Sequence, residues 1–409
     1  PLKAQNDFED KLGESFDFEK SGWNPNVHRV SHETPGKSML HWRGEYYVQE
    51  ESAAIPVDVL NPQPREKVLD MCAAPGGKST QIAAEMENKG LVIANDSSAK
   101  RMKSLHANIY RTGSKIVDAT NYDARNIPED EKFDRILVDA PCSGEGDRYY
   151  RNFEAVNESE SIELSKLQLQ ILEKAASLAK EGGTVVYSTC TINPLENENV
   201  VEKAVENTDL ELERIEAGAK HVRGVKEFEE REFEEGDKCV RVYPHHLNSG
   251  VIFVARLRKK GSTDDEKTSD KSDSANKAEE YMAERFGVKT GDINLERING
   301  DYWLAASESS NLQAETRGIR AVRDMDIGLK PTTYALQLLQ EDIERNVAEV
   351  SRKDLEDFSE DRMIERDMDE KGYVALELDG RIIGCGFYMD GLISSRIPEG
   401  RLNELVDTF

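Results

Sequence analysis

Between residues 61 and 259, short apolar runs alternate with longer stretches of helical period. Val68-Leu69 precedes Lys78–Met86, and Leu91–Ala94 precedes Ala99–Tyr110. Lys115–Val117 and Arg135–Val138 read as a third and a fourth strand. Ile162–Ala179 repeats apolar residues at helical spacing, through Leu164, Leu167, Ile171, Leu172, Ala175 and Leu178. Gly182-Gly183 is the expected end of that helix. Thr184–Ser188 reads as a fifth strand, Asn197–Val205 as a helix, and Val240–Tyr243 and Val251–Leu257 as closing strands. Such alternation predicts an α/β fold: a mostly parallel, Rossmann-like sheet covered on both faces. Ligands then sit at the carboxyl ends of the strands.

The flanks differ from this core. Residues 1–60 read as a small N-terminal α+β module. Trp23, Trp42, Tyr46 and Tyr47 lie there among His28, Arg29, Lys37, His41 and Arg43. That interleaving suits either a base-stacking, RNA-binding surface or a packed cap on the core. Residues 260–277 carry almost no apolar side chains and read as an acidic, polar linker. Residues 278–409 form a separate C-terminal α+β domain, with a helix near Tyr334–Glu341. A strand pair, Tyr373–Leu378 and Ile382–Tyr388, is joined there at the turn signal Asp379-Gly380-Arg381. No internal repeat is visible.

Composition narrows the class. No apolar run is long enough to span a membrane, and the first twenty residues are polar and acidic, unlike a secretory signal. The five cysteines, 72, 142, 190, 239 and 385, have no metal-type spacing. They fit a reduced, cytoplasmic setting, with no metal site and no disulfide framework. A net charge of −26 has two readings. It excludes nucleic acid, or it is a solubility trait, as in a salty cytoplasm, with polyanion binding left to local basic patches.

One stretch organises the rest. Lys67–Thr80, KVLDMCAAPGGKST, is a short strand, a glycine turn and a helix start. This geometry leaves backbone N–H groups free for a ligand. A phosphate-binding P-loop would need glycine where Cys72 stands. A dinucleotide fingerprint needs G-x-G-x-x-G, and only Gly76-Gly77 is present. A methyl-donor loop of a class I methyltransferase asks for a small-residue turn and an acid ending the next strand. Asp96 supplies that acid about 20 residues on, where a carboxylate can grip a ribose. An ordinary strand–turn–helix is the remaining alternative.

Two further strand ends bear thiols: Asp139-Ala140-Pro141-Cys142-Ser143-Gly144 and Ser188-Thr189-Cys190-Thr191. A cysteine is usually a small buried apolar residue. Two of them on the ligand face of one sheet suggest chemistry. Cytosine carbon 5 is a poor nucleophile until a thiolate adds at carbon 6. The thiolate needs a positive neighbour or helix dipole, and a carboxyl group at the nitrogen 3 edge assists the addition. A base then removes the carbon 5 proton before the thiol leaves. The target base must be out of its stack.

VLDMCAAPGGKST, DAPCSGEG and YSTCTINPLENENVV resemble the cofactor loop, Pro-Cys motif and Thr-Cys motif of the Nol–Nop–Sun family of RNA cytosine-5 methyltransferases. The likeness spans about residues 40–258, and Gln49–Pro56 and Arg241-Val242-Tyr243-Pro244-His245 add to it. The resemblance implies a class I fold using S-adenosyl-methionine. It implies Cys190 as nucleophile, Cys142 in product release, and Asp139 against the target base and methyl donor. It implies that Cys72, Ala73, Ala74, Pro75, Gly76, Gly77 and Lys78 line the cofactor's amino-acid end. Asp96 would hold the ribose, with Arg101 beside it, and Asp123 the adenine edge. Lys78 could equally be a helix-start residue that orients Asp139.

The C-terminal domain resembles the small, PUA-like RNA-binding domain of bacterial-type members through Gly372–Phe387 and Asp390–Arg401. That family tends to carry Lys and Asn where this chain has Ser394, Ser395 and Arg396 before Pro398; Arg317, Arg320 and Arg323 could compensate. The expected partner is ribosomal or transfer RNA, the expected state a monomer without membrane contact. A ribosome-assembly factor with secondary methylation is the rival class. Binding alone requires neither Cys142 nor Cys190.

Overall fold

The computed structural model describes residues 3, 6–144, 158–261, 276–289, 293, 295–326 and 328–408. The end of the Pro-Cys stretch, from Glu145, and residues 262–275 of the expected linker lie outside the described residues.

Strands β1 (Lys67–Asp70), β2 (Leu91–Asn95), β3 (Val117–Thr120), β4 (Phe133–Asp139) and β5 (Ala179–Thr189) run parallel, side by side in the order β3-β2-β1-β4-β5. Three of the strands that follow are β6 (Leu210–Glu213), β7 (Val222–Arg223) and β8 (Val240–Val242). β9 (Ile252–Lys259) lies antiparallel to β5 and carries β8 and β6 on its far edge. The α/β class expected from the alternation is the one adopted. Helices α1 (Gly77–Glu85), α2 (Ala99–Thr112), α3 (Glu158–Leu178) and α4 (Glu198–Asn207) share one apolar core with these strands. Ile82, Leu105, Leu172 and Val200 are their buried anchors. Strand order reverses between β1 and β4, so the crevice above their carboxyl ends is the natural ligand site.

Local chemistry moves two elements from where periodicity puts them. β3 covers Val117–Thr120 rather than Lys115–Val117. Asp118 and Thr120 are buried in it, and Thr120 Oγ1 donates to Asn95 Oδ1 at 3.0 Å. Polar groups satisfied inside a sheet do not register as an apolar run. Second, α3 stops at Leu178, and Gly182-Gly183 fall inside β5. Pairing with β4 slips there, between Phe133 and Arg135. Gly182 has φ 69°, and a Cβ on Gly183 would come 2.8 Å from Lys180 O. The glycines shape a bulge, not a helix end.

The N-terminal module and the C-terminal region close against the core and each other. The hairpin Phe18–Lys20/His28–Val30 precedes helix Met39–Arg43, capped by Ser38 Oγ and ended by Gly44 at φ 84°. Trp42 is buried in an apolar cluster with Leu376, Ile383 and Leu402, and its Nε1 donates to Arg401 O at 2.8 Å. Tyr46 donates its hydroxyl to Pro35 O at 2.5 Å. Trp42 and Tyr46 therefore serve packing rather than an open stacking surface. Arg43 is wholly buried, with Nε 2.7 Å from Glu45 Oε1. Arg381 Nε reaches the same oxygen at 3.1 Å and its NH2 reaches Asp7 Oδ1 at 2.7 Å.

The C-terminal region holds a four-stranded antiparallel sheet from Leu295–Ile298 to Gly328–Pro331. It also holds a five-stranded sheet centred on Gly372–Leu378 and Arg381–Met389. Asp379 at φ 50° and Gly380 at φ 74° form the turn, both positive as a tight two-residue hairpin requires. A tenth strand, β10 (Thr316–Arg317), pairs antiparallel with β3. The C-terminal region thus covers an edge of the central sheet that would otherwise present unpaired backbone groups.

Candidate active site

The loop after β1 is built on β2. Ala73 N donates to Asn95 O at 2.7 Å, and Asn95 Nδ2 bridges Met71 O at 3.1 Å and Tyr122 O at 3.0 Å. Gly76, at φ 109°, starts α1, and Asn108 Nδ2 holds Pro75 O at 2.9 Å. A Cβ on Gly77 would lie 2.9 Å from the Tyr47 ring and 3.0 Å from Gln49 Oε1. The N-terminal module therefore walls this loop and requires glycine there. Asp70 is buried at the end of β1: one oxygen accepts from Ser79 Oγ at 2.6 Å and the other has no hydrogen-bond partner among the described residues. Burial raises its carboxyl to about 7, with Asp139 adding to the shift. Burial also pushes the Cys72 thiol up, so Cys72 is a neutral lining group.

Asp96 ends β2 and faces the same loop. Its Oδ2 accepts from Ala74 N at 3.1 Å, its Oδ1 from Ser98 N at 2.9 Å, and Arg101 NH1 lies 3.2 Å away. Arg101 also donates to Ala74 O. Cys72–Lys78, Asp96 and Arg101 thus form one assembly. Asp123, beyond β3, stands outside it. Arg125 binds its carboxylate, with Nε 2.9 Å from Oδ1, and holds it below the usual range. The hydroxyl of its neighbour Tyr122 accepts from Gln313 N at 3.1 Å, a contact from the C-terminal region.

The other half of the crevice is made by β4 and β5. Asp139 Oδ2 accepts from Lys78 Nζ at 2.8 Å, and Oδ1 from Ser188 Oγ at 2.8 Å. Burial alone would lower the Lys78 pKa, but Asp139, Asp70 and Cys190 outweigh it and hold the ammonium charged. The thiols of Cys142 and Cys190 are 3.1 Å apart. The hydrogen bond between the two thiols lowers the Cys190 pKa, with Lys78 helping, against burial and Asp139. The same bond, with burial, pushes Cys142 well up. Cys190 is the exposed thiol of the two and the one that ionises first.

A layer behind the cysteines received no role from the sequence, although Glu196, Asn197 and Glu198 lie in the Thr-Cys motif and Arg241 in the closing one. Gln168, on α3, donates to Pro141 O and to Glu196 Oε2, each at 2.9 Å. Glu196 Oε2 also accepts from Ser143 N at 2.9 Å. Asn197 Oδ1 accepts from Thr189 Oγ1 at 2.5 Å, and its Nδ2 donates to Thr191 O at 2.9 Å. Glu198 pairs with buried Arg241, whose NH1 reaches Ile192 O at 2.7 Å. The available signal was a polar residue, Gln168, on the buried face of α3 with Ile171, Leu172 and Ala175.

The donor set fits an amino-acid nucleoside: the first turn of α1, the Asp96 carboxylate ending β2, and Lys78 with Asp139 across the crevice. Among the described residues no group of three His, Cys, Asp or Glu is placed to hold a metal, and no helix is long and apolar enough to cross a membrane. Comparison with known proteins decides the family. The model of the 16S rRNA methyltransferase RsmB/F family matches residues 57–258, which span β1 to β9. Ribosomal RNA small subunit methyltransferase F of Psychromonas ingrahamii is 32% identical over 401 residues, covering 89% of this chain and 80% of the relative. This chain belongs to the RsmB/F methyltransferase family.

The family is S-adenosyl-methionine-dependent. A second relative, tRNA (cytosine(49)-C(5))-methyltransferase of Pyrococcus abyssi, is 39% identical over 229 residues, 55% of this chain and 73% of its own length. Among solved structures, NSun6 from Pyrococcus horikoshii with SFG, an analogue of S-adenosyl-methionine, matches at 32% identity and TM-score 0.50. That match covers 56% of each chain.

Proposed function

We propose that this chain is an S-adenosyl-methionine-dependent RNA (cytosine-5) methyltransferase acting on ribosomal or transfer RNA. The observation that carries the reading is the 3.1 Å approach of the Cys142 and Cys190 thiols beside the Lys78–Asp139 pair. The names of the two relatives, one for small-subunit rRNA and one for a tRNA cytosine, support the substrate class.

Cys190, with its lowered pKa, adds as thiolate to carbon 6 of the cytosine. Asp139, held at both oxygens by Lys78 and Ser188, meets the nitrogen 3 edge and stabilises the adduct. Cys72–Lys78 and Asp96, with Asp123 at the adenine edge, would hold S-adenosyl-methionine, which would supply the methyl group. A base then takes the carbon 5 proton, the carbon 5–carbon 6 double bond re-forms, and the carbon 6–sulfur bond breaks with Cys190 leaving as a thiolate. Cys142 stabilises that leaving thiolate by donating its S–H across the 3.1 Å contact.

The test is incubation with RNA and labelled S-adenosyl-methionine. Label on cytosine carbon 5 is expected; label on adenine, ribose or protein overturns the reading. Cys142→Ala should accumulate a covalent RNA adduct and Cys190→Ala none. The reverse pattern would make Cys142 the nucleophile.

A further inference from the structure

The place of a thiol is set by the peptide groups on either side of it and by χ1. At Cys142 both flanking peptide groups are gripped by the same two side chains. The carbonyl before it, Pro141 O, takes the Gln168 amide at 2.9 Å. The N–H after it, Ser143 N, donates to Glu196 Oε2 at 2.9 Å, and the Gln168 amide also meets that oxygen at 2.9 Å. Gln168 and Glu196 are both fully buried. Among the described residues the other Glu196 oxygen has no hydrogen-bond partner, and it is shut from solvent. A buried carboxylate half-satisfied in this way is costly to keep.

Glu196 is also tied to the other thiol's strand. Its carbonyl accepts from the Tyr187 hydroxyl at 2.6 Å, within β5 three residues before Cys190. The next residue, Asn197, holds Thr189 and Thr191, the two neighbours of Cys190. One two-residue turn therefore positions both thiols: Asn197 sets Cys190, and Glu196 sets Cys142 against it.

We propose that Glu196, acting with Gln168, is a positioning residue that holds the Cys142 thiol against Cys190 and so sets how fast the covalent RNA adduct resolves. The inference rests on the function proposed above and adds a residue to its second half. Glu196 is fully buried and acts through the peptide groups beside Cys142. It is needed after the adduct forms, when the departing Cys190 thiolate needs the Cys142 S–H at hydrogen-bond distance.

The experiment follows adduct formation and adduct resolution separately, in single-turnover reactions with RNA and S-adenosyl-methionine on denaturing gels. Glu196→Ala should form adduct at a near wild-type rate and resolve it about tenfold to a hundredfold more slowly, the scale of leaving a buried N–H without its acceptor. Glu196→Gln keeps an acceptor oxygen for Ser143 N and Gln168, and should resolve adduct within about threefold of wild type. Gln168→Ala provides a second variant acting from the α3 side, and should slow resolution in the same direction. Cys142→Ala is the control. If it accumulates adduct while soluble Glu196→Ala and Gln168→Ala do not, the positioning role is overturned and the proposed function stands. Loss of adduct formation in both variants, as in Cys190→Ala, also overturns it, since the turn then serves Cys190 alone. If Cys142→Ala accumulates no adduct, the proposed function's second half fails first.

Discussion

Lys78 Nζ lies 2.8 Å from Asp139 Oδ2, joining the loop after β1 to the end of β4 across the point where strand order reverses. The pair is only partly exposed, so solvent screens it incompletely. It ties the glycine-loop half of the crevice to the thiol half. Lys78 is also among the positive influences that lower the Cys190 pKa.

Removing that charge should therefore act on Cys190 chemistry directly. In Lys78→Met the thiolate loses a stabilising cation while Asp139, which raises the thiol's pKa, remains. The Cys190 pKa moves up. At a pH below that pKa, the thiolate fraction falls roughly tenfold each time the pKa rises by one. Iodoacetamide labelling of Cys190, read by mass spectrometry across neutral to mildly alkaline pH, should show its midpoint displaced to higher pH. An unmoved midpoint would remove Lys78 from the acidity of the Cys190 thiol.

Asp70 makes stability depend on pH. Its carboxyl is raised by burial to about 7 from an ordinary value of 3.8. Between these values the folded chain holds a proton that the unfolded chain has lost. Stability is then fully present below the unfolded value and is lost as pH rises through the folded one. A displacement of this size corresponds to roughly 4 kcal/mol across the window. Asp118, also raised to about 7 by burial, contributes with the same sign. Urea unfolding should show stability falling between mildly acidic pH and the folded value near 7, and Asp70→Asn should flatten that slope.

The buried ion cluster between the N-terminal module and the C-terminal region should be a stability determinant. Arg43→Ala strips Glu45 of a partner at a site with no solvent, leaving Arg381 as its remaining partner. Breaking a buried pair on one side costs about 3–5 kcal/mol. Urea unfolding should register a loss of this order, and Glu45→Gln added to Arg43→Ala should recover part of it. A loss under about 1 kcal/mol would place the holding energy in the Trp42 contacts instead.

Much of this is legible in the chain. β1, β2, β4 and β5 are apolar runs buried on both faces, and such runs stand out at any register. The cofactor loop and both cysteine motifs are contiguous in sequence, so short-range spacing exposes them. Periodicity misplaces β3 because Asp118 and Thr120 hide a strand that the sheet itself satisfies. Gly182-Gly183 mislead because a glycine pair reads alike as a helix stop and as a bulge. The aromatic residues near Trp42 have two readings, and only contacts with residues more than 300 positions away choose packing.

By itself the sequence determined the α/β alternation, the small-residue loop and the presence of two thiols at strand ends, because each depends on neighbours a few residues apart. Tertiary structure decided the rest. Cys142 and Cys190 are 48 residues apart in the chain and 3.1 Å apart in space. Their unequal acidity arises from that contact, from burial and from Lys78. Glu196 and Gln168 became recognisable when the fold placed one carboxylate oxygen against the peptide following Cys142 and one amide against the peptide preceding it. Hydrogen bonds act over about 3 Å, and only the packed sheet brings such distant residues within that reach.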